Sequence, residues 1–309
     1  MAIKTKDVID LEFLSSDEIM MILDTAKAMK EVLGRDVKTV PALRGKTVAT
    51  LFYENSTRTR LSFELAAKYL SAGTVNISAS SSSVTKGESL QDTGHTLDAM
   101  GIDMIIMRHN MSGAPKLLGE AVKARVVNAG DGTHAHPTQA LLDLYTIRDK
   151  KETIKGLTVT ILGDILHSRV ARSNIWGLTK LGATVRVCGP PTLMPKEIEK
   201  MGVEVYYDAD AALDGADVVN VLRIQLERQE KGLFPTIEEY ASLYALTEAR
   251  LKNGKPDLLV LHPGPMNRGI EIPSVVADSD QSAIQEQVTN GVACRMALLY
   301  QMMGGSGDE

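Results

Sequence analysis

The chain has 309 residues, of which 44% are hydrophobic and 24% are charged, a composition typical of globular proteins. Its length predicts two domains, since one domain usually takes about 100–200 residues. The net charge of −5 argues against binding to bulk nucleic acid or to an anionic membrane surface. No apolar run approaches the roughly 18 residues of a membrane span, so a membrane protein is not expected.

The two cysteines, Cys188 and Cys294, lie far apart and form neither a CxxC pair nor a metal-ligand spacing. This usage is typical of a reducing cytoplasm. The segment 1–14 lacks the apolar stretch of a signal peptide. We therefore expect a cytoplasmic protein without a metal site.

The first half of the chain alternates β-rich runs with helical patterns. Ser15 and Glu18 form a capping-box pattern that predicts the start of a helix. Apolar periodicity predicts a second helix after Arg58, with a buried face of Leu61, Leu65, Ala66, Tyr69 and Leu70. Further strands are predicted around 48–52, 74–78, 103–109 and 125–131, and further helices over 89–100, 116–124 and 136–149.

A second series of strands and helices follows the charged segment 149–156. Strands are predicted over 158–164, 183–190, 203–208, 216–223 and 256–265. Helices are predicted over 168–182, 195–202, 208–215 and 288–303.

Strands that alternate with helices indicate parallel sheets, with ligands at the carboxyl ends of the strands. The predicted fold class is α/β, with two domains that are each a parallel β-sheet flanked by helices and an active site in the interdomain cleft. The predicted limits are 1–150 plus the C-terminal helix 288–309 for one domain, and 151–287 for the other.

A strand-to-helix junction carries Ser56, Thr57, Arg58 and Thr59. Free backbone N–H groups, hydroxyls and a guanidinium at a helix start favour phosphate binding without a glycine-rich loop. On composition alone, a capped helix with a solvated basic face is an equally good interpretation.

Two further segments of the first half end near the same predicted sheet edge. Arg108 closes a strand, and His136 and Gln139 start a helix at Pro137. His136 could stabilise an oxyanion and Gln139 could bind an amide, although a solvated strand end and an ordinary helix start explain the same pattern. His134 and His136 do not predict zinc, because no carboxylate or cysteine completes a ligand set.

In the second half, Arg169 follows the segment Gly163–Ser168, where a dinucleotide fingerprint would stand. That segment is not GxGxxG, so it gives little support to a nicotinamide site, and its arginine suits a carboxylate. Arg223 and Gln225 follow another strand, and the turn at Pro263 and Gly264 offers backbone carbonyls to an amine or amide. Solvated or rigid loops remain the alternative.

Together these segments gather four arginines at element ends of an acidic protein, which predicts a local trap for small anions. The arginines are Arg58, Arg108, Arg169 and Arg223. No nucleophile with its base is present in the motifs, so direct transfer between two bound anions is favoured.

The string Phe52-x-Glu54-x-Ser56-Thr57-Arg58-Thr59 resembles the carbamoyl-phosphate signature of the aspartate and ornithine carbamoyltransferases. Further matches follow in order over nearly the whole chain: Lys86-Gly87-Glu88, Arg108-His109, His136 to Gln139, Arg169, Arg223-x-Gln225 and His262-Pro263-x-Pro265. The aspartate branch is the closer one, because the HCLP loop and the Asp-x-x-x-Ser-Met-Gly segment of the ornithine branch are absent.

The resemblance implies carbamoyl transfer from carbamoyl phosphate to the amine of L-aspartate, giving N-carbamoyl-L-aspartate for pyrimidine biosynthesis. The implied catalytic residues are Arg58, Thr59, Arg108, His136 and Gln139. The implied carbamoyl-phosphate ligands are Ser56, Thr57, Arg58, Thr59, Arg108, His136, Gln139, Pro263 and Gly264, with Ser82 and Lys86 of an adjacent chain. The implied aspartate ligands are Lys86, Arg169, Arg223 and Gln225.

The resemblance further implies a homotrimer with shared active sites, no cofactor, and domain closure through Glu54, which would pair with arginines that include Arg169. It also allows a regulatory chain or a dihydroorotase as a partner. Transfer to another amine such as L-ornithine is the alternative reaction, although Arg169 and Arg223 should repel an ammonium group. A nicotinamide dehydrogenase and a non-catalytic anion-binding relative are the alternatives from other classes.

Overall fold

A computed structural model describes residues 3–78, 87–225 and 236–304 of the chain. The chain divides into two compact units. Unit 1 comprises Met1–Leu142 and Thr289–Glu309, and unit 2 comprises Asp143–Val288. The resemblance implies that 1–150 with 288–309 is the carbamoyl-phosphate-binding domain and that 151–287 is the aspartate-binding domain, and this assignment stays a prediction.

Unit 1 is built on a parallel four-stranded sheet. Its strands are β1 (Thr47–Phe52), β2 (Gly73–Ser78), β3 (Met104–His109) and β4 (Arg125–Asp131), in the order β2-β1-β3-β4. Strands β1, β3 and β4 are almost fully buried, as expected for a parallel sheet covered on both faces. The sheet confirms the parallel α/β interpretation of the first half.

The helices that begin in unit 1 connect and flank these strands. They are α1 (Ser16–Leu33), α2 (Thr57–Tyr69), α3 (Leu90–Ala99), α4 (Ala114–Ala121) and α5 (Pro137–Lys151), with 3₁₀ turns at Leu11–Phe13 and Pro41–Leu43. The predicted capping box is confirmed: the Glu18 amide donates to Ser15 Oγ (3.2 Å), and the Ser15 amide donates to Glu18 Oε2 (2.9 Å).

Unit 2 is built on a parallel five-stranded sheet. Its strands are β5 (Thr158–Leu162), β6 (Thr184–Cys188), β7 (Glu204–Tyr206), β8 (Val218–Val221) and β9 (Leu259–Leu261), in the order β7-β6-β5-β8-β9. Both sheets therefore follow the doubly wound pattern, with strands added to either side of the first one.

The remaining helices are α6 (Arg169–Lys180), α7 (Ala209–Leu213), α8 (Ile237–Tyr244), α9 (Glu248–Leu251), α10 (Ser274–Ala277) and α11 (Ile284–Met303). The 3₁₀ turns of unit 2 lie at Pro191–Leu193 and Ile198–Met201. Within the described residues, no helix is long and apolar enough to cross a membrane.

The predicted buried face of α2 is partly wrong. Leu61 is 48% exposed and Leu65 is 39% exposed, whereas Phe63 is fully buried. The face that packs inward carries Thr59, Phe63, Ala66, Ala67 and Leu70. The Phe63 ring on this face lies against the Arg295 guanidinium of α11, which is 5.0 Å from the ring centroid.

Two predicted helices of the second half differ from the structure. The segment 195–202 forms only the 3₁₀ turn Ile198–Met201, because Glu197 and Gly202 both adopt left-handed backbone conformations at its two ends. The last helix begins at Ile284, earlier than the predicted residue 288.

Candidate active site

The candidate anion-binding edge of unit 1 lies at the carboxyl ends of β1 and β3. The strand order reverses between these two neighbours, and ligands of open parallel sheets bind outside the carboxyl ends at such a point. Phe52 pairs in register with Arg108, and the Tyr53 amide donates to the Arg108 carbonyl oxygen (2.8 Å). The segment after β1 and the end of β3 therefore lie side by side.

Helix α2 starts at this edge, and among the described residues no side chain caps its first turn. Ser56 is its N-cap residue in an extended conformation, and within the described part of the chain its side chain makes no capping hydrogen bond to the first turn. Thr57 and Arg58 are exposed and Thr59 is buried. Uncapped N–H groups, hydroxyls and the positive end of the helix dipole make this turn suitable for a phosphate dianion.

Arg108 is only 9% exposed, and hydrogen bonds hold its guanidinium group in place. Its Nη2 donates to Glu54 Oε1 (2.5 Å) and its Nη1 donates to the Ala129 carbonyl oxygen (3.2 Å). A charge-assisted hydrogen bond and a backbone contact fix the guanidinium plane before any ligand arrives. Glu54, predicted to act in domain closure, thus pairs with Arg108 within unit 1.

The next element along the sheet supplies His136 and Gln139. Both side chains are buried, and helix α5 begins at Pro137 as predicted. The Gln139 amide donates to the His136 carbonyl oxygen (3.0 Å), which places the two residues on the first turn. The strand that precedes them, β4, is the neighbour of β3, so these side chains follow the same sheet edge as Arg108.

A buried carboxylate that the sequence analysis missed shapes the loop before His136. Asp131 Oδ1 accepts from Asn128 Nδ2 (2.8 Å) and from the Ala135 amide (3.0 Å), and Oδ2 accepts from the Gly113 amide (2.7 Å). A buried carboxylate with several amide donors is a rigid anchor. Polar residues at the end of an otherwise apolar strand were the available signal.

His109 lies beside Arg108 and packs against Tyr53, with ring centroids 4.6 Å apart. Its Nδ1 accepts a hydrogen bond from the Met111 amide (2.9 Å), which requires the deprotonated nitrogen. Burial lowers the pKa of His109 below its ordinary value of 6.5, and the nearby Asp131 and Glu54 carboxylates oppose that shift. The folded protein therefore favours the neutral form of His109 at this edge.

The equivalent edge of unit 2 lies where β5 and β8 end, with β9 beside them. Arg169 is the first residue of α6 and is only 4% exposed. Here the helix start is capped, because Ser168 Oγ accepts from the Ala171 amide (3.1 Å). The preceding turn is fixed by buried Asp164, whose Oδ1 accepts from the His167 amide (3.1 Å) and contacts His167 Nδ1 (3.0 Å).

Arg223 and Gln225 follow β8 and are both half-buried. Arg223 Nη1 donates to Gln225 Oε1 at 3.5 Å, a long and weak contact. The sheet order places these two residues next to the Arg169 turn, as neighbouring strands end at the same edge.

The loop after β9 carries Pro263 and Gly264. Gly264 has a φ of +58° in the left-handed region, and its peptide bond to Pro265 is cis. Its amide donates to His262 Nδ1 (2.8 Å), so His262 Nε2 carries the proton and donates to Glu271 Oε1 (3.2 Å). The backbone carbonyls of this turn are thus held in one orientation by a buried imidazole.

Two predicted residues, Ser82 and Lys86, lie outside the described residues. The other predicted site residues fall into two sets, one at the carboxyl edge of each sheet. In the described ranges, no group of three or more histidine, cysteine, aspartate or glutamate side chains could hold a metal ion.

Family models match both halves of the chain. Residues 6–149 match the aspartate/ornithine carbamoyltransferase carbamoyl-P binding domain. Residues 155–302 match the Asp/Orn binding domain of the same family.

Curated relatives match over nearly full length. The chain is 67% identical to the aspartate carbamoyltransferase catalytic subunit of Heliobacterium modesticaldum over 99% of this chain and 98% of the relative. It is 64% identical to the protein of the same name from Moorella thermoacetica, over 99% of this chain and 100% of the relative.

Solved structures share the fold. The ornithine carbamoyltransferase from Pyrococcus furiosus has a TM-score of 0.88 and 31% identity, covering 99% of each chain. Aspartate transcarbamoylase from Trypanosoma cruzi, in complex with carbamoyl phosphate and aspartate, has a TM-score of 0.87 and 30% identity, covering 97% of each chain.

Proposed function

The chain belongs to the aspartate/ornithine carbamoyltransferase family, and from this premise we propose how its residues perform the reaction. The enzyme is an aspartate carbamoyltransferase: it transfers the carbamoyl group of carbamoyl phosphate to L-aspartate. Relatives at 60–67% identity carry that name, whereas the ornithine enzyme of similar structure is only 31% identical. The observation that carries the proposal is the pair of cationic edges, one on each sheet.

Carbamoyl phosphate binds at the edge of unit 1 in this proposal. The uncapped start of α2 and the hydroxyls of Ser56, Thr57 and Thr59 receive the phosphate, and Arg58 adds a bidentate guanidinium. Such a set of donors suits a compact dianion, which can accept several hydrogen bonds at once. The similar Trypanosoma cruzi protein was solved with carbamoyl phosphate bound, which supports a donor site in this family.

Arg108, His136 and Thr59 polarise the carbonyl of the bound donor in this proposal. Nucleophilic attack turns that oxygen into an oxyanion, and donors fixed beforehand stabilise the new charge without reorganising. Glu54 and Ala129 hold Arg108 ready, as their contacts of 2.5 Å and 3.2 Å indicate. Gln139 and the carbonyls of Pro263 and Gly264 bind the carbamoyl NH₂ group.

L-Aspartate binds through Arg169, Arg223 and Gln225, with Lys86 of an adjacent chain. Its neutral amine attacks the carbonyl carbon, so that a C–N bond forms and a tetrahedral intermediate appears. The C–O bond to phosphate then breaks, and the leaving phosphate takes one amine proton. No covalent enzyme intermediate is needed, since both substrates are held together for direct transfer.

The charge of the acceptor site supports L-aspartate over L-ornithine. Two arginines attract the two carboxylates of aspartate, whereas the ornithine side chain would bring an ammonium group to the same cations. Arg169 is nearly buried, so its interaction with a ligand charge is weakly screened.

The enzyme forms a homotrimer with shared active sites in this proposal, acts in the cytoplasm and contributes to pyrimidine biosynthesis. Exposed apolar residues on unit 1 support a covered surface: Leu61 and Leu65 lie about one turn apart on α2. Contiguous exposed apolar residues on one part of a protein are typical of an interface. Ser82 and Lys86 follow β2 in the chain, which supports their role in a neighbouring site.

The reaction is tested by incubating the purified enzyme with carbamoyl phosphate and either L-aspartate or L-ornithine, with no metal added. Carbamoyl aspartate as the only product is expected. Citrulline instead would retain the donor site and overturn the acceptor site.

Sharing of the active site is tested by mixing two inactive proteins, Lys86→Ala and Arg58→Ala. Hybrid trimers contain some sites in which both residues are intact, so partial recovery of activity is expected. Hybrids that are shown to form and stay inactive would contradict the role of Lys86 in an adjacent site.

A further inference from the structure

Asp143 is a buried carboxylate of α5 that the proposed mechanism leaves unused. Its side chain has no solvent exposure. Its oxygens accept from side-chain amides: Oδ1 from Gln287 Nε2 (2.7 Å), and Oδ2 from Asn174 Nδ2 (2.8 Å) and Asn220 Nδ2 (3.3 Å). Burying a carboxylate costs free energy, which indicates that this cluster has a role in the protein.

Two of these amides belong to elements that carry the proposed aspartate ligands. Asn174 lies on α6, the helix that begins with Arg169. Asn220 lies in β8, three residues before Arg223. Asp143 thus joins the two elements from which the acceptor arginines extend.

The third amide reaches the turn after β9. Gln287 Nε2 binds Asp143, and Gln287 Oε1 accepts from the backbone amide of His262 (2.9 Å). The His262 ring in turn orients the Gly264 amide (2.8 Å). A continuous chain of hydrogen bonds therefore runs from Asp143 to the turn whose carbonyls are proposed to hold the carbamoyl NH₂ group.

Asp143 sets the orientation of the Gln287 amide group. A carboxylate only accepts, so Gln287 must turn its NH₂ group toward Asp143 and its oxygen toward the His262 amide. The opposite amide orientation would place two donors against each other at His262. One buried carboxylate thus selects the orientation of Gln287 that accepts from the His262 amide, as supporting groups do around other functional sites.

We propose that Asp143 is a positioning residue for the acceptor half of the reaction. It holds the elements of Arg169 and Arg223 and, through Gln287 and His262, the Pro263–Gly264 carbonyls. This inference rests on the proposed function, since it assigns Asp143 to the site that binds L-aspartate. Asp143 touches neither substrate and acts through the residues it orients.

The variant Asp143→Asn keeps the shape and removes the charge. The introduced NH₂ group meets an amide donor whichever way it turns. A rotated Gln287 would oppose the His262 amide, and a rotated Asn174 would lose its bond to the Val170 carbonyl oxygen (3.1 Å), so a hydrogen bond is lost in either arrangement. Such a loss corresponds to about 10- to 100-fold. We expect the KM for L-aspartate to rise and kcat to fall, with a combined loss in kcat/KM of about that size. The affinity for carbamoyl phosphate alone, measured by calorimetry, falls by less than the KM for L-aspartate rises, because only the Pro263–Gly264 carbonyls among its proposed ligands depend on Asp143.

The double variant Asp143→Asn with Gln287→Glu restores the hydrogen bonds described above. The amide introduced at position 143 donates to the carboxylate introduced at position 287, and its oxygen accepts from Asn174 and Asn220. The carboxylate at position 287 also accepts from the His262 amide. We expect this double variant to recover most of the lost kcat/KM, although each single variant is impaired. Recovery by moving the charge is a result that the loss of a merely structural residue would not give.

The control is Glu286→Gln. Glu286 Oε1 accepts from Lys150 Nζ (2.8 Å), so this pair joins the same two helices, α5 and α11, at an exposed position. Exposed ion pairs contribute little, and wild-type kinetics are expected.

A milder variant, Gln287→Met, keeps the length of the side chain and removes both amide contacts. It covers the case in which Asp143→Asn fails to fold, and an increased KM for L-aspartate with a smaller loss of carbamoyl phosphate affinity supports the proposal. Unchanged aspartate kinetics in Asp143→Asn or Gln287→Met overturn it, as do equal losses for both substrates, a folded but unrecovered double variant, or failure of all three to fold. Failure of the proposed function itself is distinct, because the wild-type enzyme would then form no carbamoyl aspartate.

Discussion

Units 1 and 2 both carry arginines at a sheet edge, but the helices that start there are capped differently. Both sheets place arginines at carboxyl ends where the strand order reverses. Within the part of the chain that the structure describes, no side chain caps the helix start after Ser56 in unit 1. In unit 2, Ser168 caps α6, and the first helical residue, Arg169, is itself buried. Unit 1 therefore adds free backbone N–H groups to its arginines, whereas the capped start of α6 in unit 2 offers the guanidinium group of Arg169.

The difference corresponds to the two anions that we assign. A phosphate has several oxygens on one centre and is well served by a helix start with added hydroxyls. The two carboxylates of aspartate are separate planar groups, which suit separate arginines with a planar fork of donors. The choice between capping a helix and leaving it open thus distinguishes a phosphate site from a carboxylate site.

The largest expected effect on kcat/KM comes from changing Arg58, which belongs to the edge of unit 1. Arg58→Ala removes a charge-assisted contact to the phosphate, and a loss of about 10²–10³-fold in kcat/KM is expected from the removal of one such transition-state contact. Arg60→Ala is the matched control, because Arg60 lies on the same helix and faces Glu64 (3.9 Å). Near-normal turnover of Arg58→Ala would contradict the phosphate site.

The acceptor edge is addressed by Arg169→Ala. Losing a nearly buried arginine that binds a carboxylate should raise the KM for L-aspartate by about 10–100-fold, since charged hydrogen bonds contribute about 1.5–3 kcal/mol. Steady-state kinetics at saturating carbamoyl phosphate measure it. An unchanged KM would show that another group binds the acceptor.

Local pattern was sufficient for much of this architecture. Alternating strands and helices predicted both parallel sheets, and Ser15, Glu18 and Pro137 marked helix starts that the structure confirms. Helix α8 was missed although Thr236 and Glu239 offered a start signal, and Thr236 Oγ1 does accept from the Glu239 amide. Short helices carry too few residues for a visible period.

The contacts that orient the site residues could not be predicted from the sequence. Asp131 binds the Gly113 amide, and Asp143 binds Gln287, which is 144 residues away in the chain. Motif spacing places Arg108 or His136 at an element end, but it says nothing about which distant carboxylate holds that element. Such partners become visible only once the fold brings them together.

A smaller effect tests the rigidity of the donor edge. Glu54→Gln replaces the charged partner of Arg108, so the guanidinium is less firmly aligned and kcat should fall by about 10-fold. Glu64→Gln serves as the control, because Glu64 pairs with Arg60 and Asn76 on the same unit. Equal activity of the two variants would contradict a positioning role for Glu54.

The smallest effect concerns stability against pH. Burial lowers the pKa of His109, so the folded state binds fewer protons than the unfolded state as the pH falls through and below the ordinary value of 6.5. The contribution of neutral His109 is present above that value and is lost toward acid. The stability advantage of wild type over His109→Gln, measured by urea unfolding, should therefore shrink from pH 8 to pH 5, and an advantage that grows would contradict this sign.

The central claim is that the donor and the acceptor are recognised at different sheet edges. Calorimetric binding of carbamoyl phosphate alone to wild type, Arg58→Ala and Arg169→Ala tests it most directly. The account predicts that Arg58→Ala loses at least about 10-fold in affinity, as expected for a charged hydrogen bond, while Arg169→Ala binds like wild type. Weakened binding in Arg169→Ala, or undiminished binding in Arg58→Ala, would contradict it.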